Sequence, residues 1–263
     1  MGFTLIETML FLAITGLMVA GMLVGSGVAI NSQRYHDAVV SLQSELQDQF
    51  SQVQNTSNDH TGNATCTAST LSVGADTDTT SAGASDCYIL GRYISAGGSA
   101  DTVNTLNETT VLGYVDPADE PTGAVGDVAA LQAYTLKTTD AIKLDTTTYA
   151  PDWDATFKSY SLPVAAGKPT ISQAFSVLIV RSPSTGTIRT FINPTAVQTP
   201  TQLVHASDGS GANPNLNNSL NLCIDPSGVG ATSGVQDVQI AANASSGDGV
   251  EILGDAETGN PCN

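Results

Sequence analysis

An α+β fold is predicted by three features of the sequence. A long uncharged apolar run stands near the start, an amphipathic helical pattern continues it without a break, and short β-branched or aromatic runs separated by turn residues fill the remainder. The first half of the long N-terminal helix is expected to lie in a membrane, and its second half to pack on an antiparallel β-sheet globular domain. Along the chain this gives residues 3–30 as the membrane segment, 31–55 as its amphipathic continuation, and 56–263 as an acidic β-rich domain with long loops.

The membrane segment comes first. No charged residue occurs from Thr8 to Ser32, and Met9 to Ile30 is long enough to cross a bilayer core as a helix. A removable secretory signal opens with Lys or Arg and closes on a small-residue cleavage site. Here the apolar run opens after Gly2 and passes straight into helical periodicity. Glu7 lies at the edge of this run, where a carboxylate costs several kcal/mol unless neutralised or paired. An α-amine created by cleavage just upstream would complement it. That amine belongs to another subunit if helix geometry separates the two groups within one chain.

The run Gly2-Phe3-Thr4-Leu5-Ile6-Glu7 resembles the processing and methylation motif of type IV pilins and type II secretion pseudopilins. In that family a membrane peptidase cuts after the Gly and N-methylates the new first residue. The resemblance implies that Met1 and Gly2 are the remnant of a leader, that Gly2 and Phe3 are the cleavage and methylation positions, and that Glu7 pairs with the Phe3 amine of a neighbouring subunit during assembly. It implies a pilin-like version of the α+β fold and a structural role in a surface filament serving adhesion or twitching motility. The partners implied are copies of the same chain in a helical homopolymer, a prepilin peptidase, the pilus assembly machinery, the cytoplasmic membrane before assembly, and a host-surface or cell-surface ligand. Two features depart from the family pattern. Only Met1 and Gly2 precede Phe3, where family precursors carry a basic leader, and no Pro occurs before Pro117, where many pilins have one within the helix. Gly16, Gly21, Gly25 and Gly27 occupy that region, either loosening the helix or serving as small-residue packing sites between membrane helices.

Beyond Ile30, Val39, Leu42, Leu46, Phe50 and Val53 recur at intervals of three or four residues among Gln, Ser and Asp, an apolar stripe suited to helix–sheet packing. Asn55 to Gly62 supplies the stop signals. A helix from Phe3 to Gln54 would be roughly 80 Å long at the usual rise per residue.

Residues 56–86 are poor in apolar residues and read as a surface loop pinned by Cys66 and Cys87. Strands are predicted at Tyr88–Ile94, Thr109–Val115, Tyr134–Lys137, Thr156–Leu162, Ala174–Arg181, Thr187–Ile192, Leu220–Ile224, Val235–Ala241 and Val250–Leu253. The segments flanking Ser182-Pro-Ser-Thr-Gly186 read as a hairpin, and Gly126 to Ala133 as a short helix capped by Asp127. Such a sheet leaves one face bare, which the stripe from Val39 to Val53 would cover. Exposed insertions are expected at 56–86, 116–155 and 196–218.

Composition narrows the function. The net charge is −17, and no Lys or Arg follows Arg189, so a phosphate backbone would be repelled and no nucleic-acid partner is expected. Cys66, Cys87, Cys223 and Cys262 are too widely spaced for a CxxC knuckle, and an even number suits two disulfides outside the cytosol. Three pairings are open. The sequence-local one, Cys66 with Cys87 and Cys223 with Cys262, closes two separate Gly-rich and Ser/Thr-rich excursions. His36, His60 and His205 are isolated, and no HExxH, GxSxG or phosphate-binding Gly loop occurs, so neither catalysis nor a cofactor is expected. Asp76, Asp78, Asp152, Asp154 and Asp225 lack EF-hand spacing and read as solvated loop carboxylates, with no metal expected. An anchored binding protein that never polymerises, a minor pseudopilin of a secretion or DNA-uptake system, and an anchored exoenzyme are the alternative readings.

Overall fold

The computed structural model describes residues 4–56, 64–67, 70–73, 87–97, 105–115, 126–139, 146–161, 170–172, 174–225, 235–254 and 262. One helix, α1 (Leu5–Gln54), runs unbroken through the apolar and amphipathic segments. It is followed by β1 (Ala64–Thr67), β2 (Thr70–Val73), β3 (Tyr88–Ala96), β4 (Leu106–Tyr114), α2 (Asp127–Gln132), β5 (Thr135–Thr138) and β6 (Thr147–Tyr149). Next come β7 (Thr156–Ser161), β8 (Thr170–Ser172), β9 (Phe175–Arg181), β10 (Ile188–Asn193), α3 (Pro200–His205), β11 (Leu220–Asp225), β12 (Gln236–Ile240) and β13 (Val250–Leu253).

Among the described residues β1 and β2 pair only with each other, and the remaining strands form two antiparallel sheets rather than one. The first has the order β10-β9-β3-β4-β5, with β6 also paired to β4; the second has the order β13-β12-β11-β7-β8. Tyr35, Ala38, Val39, Leu42, Leu46, Phe50 and Val53 of α1 are buried in a core that draws Ile94, Val177 and Ile179 from the first sheet and Leu222, Val238 and Ile240 from the second. A helix can serve two sheets because its buried residues fall at both i+3 and i+4, giving a stripe wide enough for two contacts. Tyr35 pins the base of this arrangement to the second sheet, donating its hydroxyl to Ile224 O at 2.9 Å and accepting from Gln236 N at 2.6 Å.

The far face of the first sheet is not bare. Alternation along β9 sends Phe175, Val177 and Ile179 towards α1, and Leu178 and Val180 into a second cluster with Leu131, Leu203 and Val204 of α2 and α3. Burial on both faces explains the continuous apolar run in this strand. Here 196–218 departs from the exposed insertion expected. Thr199 and Gln202 form a capping box around α3, and buried Asn213 donates to Leu203 O and Val204 O at its other end. Within 116–155, α2, β5 and β6 likewise extend the first sheet or cover it.

Two further corrections concern local structure. Residues 64–73, read as loop, contain the β1–β2 hairpin, with Ala64 opposite Val73. Thr and Val supply enough β-propensity there despite low hydrophobicity. Asp127 does not cap α2; its carboxylate binds the Arg189 guanidinium at 2.7 Å and the Thr185 hydroxyl at 2.6 Å, leaving Gly126 as the N-cap. A paired charge on the adjacent strand outcompetes the local backbone donors. The β9–β10 hairpin forms as read, closed by Ser182 N to Thr187 O at 2.8 Å, with Gly186 at φ +75°.

Candidate functional site

Among the described residues, the largest uncovered apolar surface lies on the first half of α1. Its large apolar side chains stand open from Leu5 to Ile30, with Ile14 at 49% and Leu17 at 78% exposure. This stretch is left uncovered by the rest of the chain, and the helix is long and apolar enough to cross a membrane. A core helix of this composition would be covered by its own domain. Exposed apolar patches on soluble monomers are far smaller.

Glu7 sits in the first turn of this stem. Thr4 is the N-cap, and its hydroxyl accepts from Glu7 N at 3.4 Å. In return Glu7 Oε2 accepts from Thr4 N at 3.2 Å and from the Thr4 hydroxyl at 3.1 Å. Sequence reasoning missed this capping box, although Thr4-Leu-Ile-Glu7 is its signature. Within the lone chain, Glu7 thus has partners at a helix N-terminus, where the macrodipole also favours a carboxylate. Gly2 and Phe3 lie outside the described residues.

The helix passes Gly16, Gly21 and Gly25 without interruption, and a Cβ placed on any of them would meet nothing within 4 Å. They therefore create no packing within the chain and leave shallow notches on the exposed stem. Thr15 and Ser26 return their hydroxyls to Phe11 O at 2.8 Å and Met22 O at 2.9 Å, which leaves neither hydroxyl unsatisfied in an apolar environment.

Cys223 and Cys262 form a disulfide that ties the C-terminal segment to β11. Cys87 is also disulfide-bonded, and no described cysteine is free. The side chain of Cys66, and the carboxylates Asp76 and Asp78, fall outside what is described. Asp237, 0% exposed, lies within 4.8 Å of both bonded sulfurs. Its Oδ2 accepts from Asn221 at 2.8 Å while Oδ1 has no partner, and burial pushes its carboxyl up to about 7. With both sulfurs in a disulfide, this trio offers no thiolate to a metal.

A polar cluster lies where the last turns of α1 cross the first sheet, beside an open cavity of about 530 Å³ lined by Glu45, Gln49, Arg92, Glu108, Thr147 and Tyr149, among others. Gln49 is its hub. Its amide nitrogen donates to Glu45 Oε1 and Glu108 Oε2, both at 3.0 Å, and its carbonyl accepts from Arg92 Nε at 2.9 Å. Arg92 also donates to Thr110, and Thr147 to Glu108 Oε2 at 2.9 Å. Glu108 is 2% exposed, and its Oε1 has no donor. Burial first, and the facing Glu45 second, push its carboxyl up to about 7. The sequence signal was a glutamate at an inward position of β4, between Leu106 and Thr110 on the same face. The cluster joins helix to sheet and changes charge near neutral pH.

No protein-family model, curated protein or solved structure matches the chain.

Proposed function

We propose that this chain is a structural subunit of a type IV pilin-like filament, held in a membrane by Leu5–Ile30 until assembly packs copies of that stem together. The observation that carries this reading is the apolar stem, uncovered by its own domain yet continuous with the helix at the domain's core. Such a surface needs lipid or other stems around it, and a rigid junction delivers each domain to a fixed place on a filament's outside. The motif from Gly2 to Glu7 supports processing at Phe3, and the notches at Gly16, Gly21 and Gly25 suit close approach of helices. Glu7, relieved of its membrane-edge position, would exchange its Thr4 partners for the Phe3 amine of a neighbour.

The test is to shear filaments from producing cells and determine the N-terminus and mass of the subunit, in parallel for wild type and Glu7→Gln. N-methyl-Phe3 on a filament-borne species is expected for the wild type, with the variant inserted in the membrane but depleted several-fold from filaments. Unprocessed chain confined to the membrane fraction would overturn the reading. It would favour instead an anchored binding protein, for which the polar cavity beside Glu108 is the supporting feature.

A further inference from the structure

The surface where the stem meets the domain carries a side chain that the filament reading does not use. Ile30 is 50% exposed and Tyr35 is 2% exposed, so membrane-compatible surface gives way to folded core within five residues. That is about 7 Å along the helix axis, comparable to the thickness of one lipid headgroup layer. Whatever the domain presents at this level lies against headgroups whenever the stem spans a bilayer. Among the described residues it presents Arg34 and Trp153.

Trp153 is the single tryptophan in the chain, 51% exposed, with the Arg34 guanidinium carbon 4.8 Å from its ring centroid. It stands in a short 3₁₀ turn, Asp152–Asp154, that packs against α1. Its backbone is in the left-handed region, at φ 61° and ψ 33°, where bulky residues rarely sit. The turn is held between Pro151 and Ala155, the latter 2% exposed within the main core. The single indole of the chain is thus held in this conformation, half in water and stacked with Arg34 of α1.

We propose that Trp153 and Arg34 form a foot that seats the globular domain on a zwitterionic phospholipid surface. The inference rests on the reading that Leu5–Ile30 spans a membrane. An indole prefers the headgroup region, where its ring meets the acyl-chain boundary and its N–H meets carbonyl and phosphate oxygens. The Arg34 guanidinium extends to phosphate while its aliphatic stem lies along the helix. Asp37, one turn from Arg34 on α1, and Asp152, beside Trp153, are both exposed; they oppose an anionic surface and select lipids of no net charge. The foot fixes the tilt and rotation of the stored subunit.

Because Trp153 is the sole tryptophan, its fluorescence reports the foot directly. The full chain would be reconstituted in phosphatidylcholine vesicles carrying lipid brominated either near the headgroup or near the chain end. A second protein, Trp153→Phe with Leu17→Trp, reports the stem. Trp153 is expected to emit to the blue of a solvent-exposed indole, to be quenched several-fold more by shallow than by deep bromine, and to lose most of its acrylamide quenching relative to an exposed indole. The tryptophan at position 17 should show the opposite depth preference. Deep quenching at 17 with no quenching of Trp153 would overturn the foot and leave the spanning stem intact. No quenching at either position would overturn both.

Discussion

Replacing Glu108 by Gln separates the charge of the buried cluster from its shape. Glu108 has its carboxyl raised from an ordinary value near 4.5 to about 7 by burial and by the facing Glu45. Between those limits the folded state holds a proton that the unfolded state has released. Stability therefore falls as pH rises through this window, by at most about 3 kcal/mol for this group, and the loss is complete above it. A Gln at 108 keeps one carbonyl to accept from Gln49 and Thr147, and its amide nitrogen can donate to Glu45, where Glu108 Oε1 has no donor. The variant is expected to exceed the wild type by about 2 kcal/mol at pH 8, with the advantage gone near pH 5. Urea unfolding of the full chain in detergent micelles, followed by Trp153 fluorescence at both pH values, measures this. Asp237 titrates in the same direction in both proteins and cancels in the difference. A stability difference that does not change with pH, or a loss at pH 8, would refute the account of the cluster.

Two further outcomes follow from the core and its tether. Leu46→Ala empties a side chain that is 1% exposed between α1 and both sheets, and should cost about 2–5 kcal/mol in the same urea assay while leaving the stem inserted. Cys223→Ser with Cys262→Ser opens a closure spanning 39 residues, and should lower stability by about 4 kcal/mol in the chain-entropy description; an unchanged urea midpoint would contradict it.

Legibility in the sequence followed the period of the signal. The helix was readable because an uncharged run and a three-and-four-residue stripe share one phase from Leu5 to Val53. The strands around Phe175 and Ile188 were readable because apolar and β-branched residues bracket a Pro-Gly turn. Two sheets could not be told from one, since partition depends on which strand edges meet, and no local pattern records that. Residues 196–218 looked like loop because Asn213 and Asn215 are loop formers, yet both are buried as donors to the carbonyls of α3 and its surroundings. Trp153 gave no sign of its exposure, because an isolated aromatic residue is as consistent with a core as with a surface.

The helix that enters the domain's core without a joint has a geometric consequence. Between Ile30 and Tyr35 there is no break in the helix and no glycine, so rotation of the stem about its axis is rotation of the domain by the same angle. Helical phase then acts as a key. One residue added in this stretch would turn the domain by about 100° against the stem, and three or four would nearly restore it while lifting it by about 5 Å. The face a subunit shows its surroundings is set by residue count in the neck as firmly as by any contact within the domain.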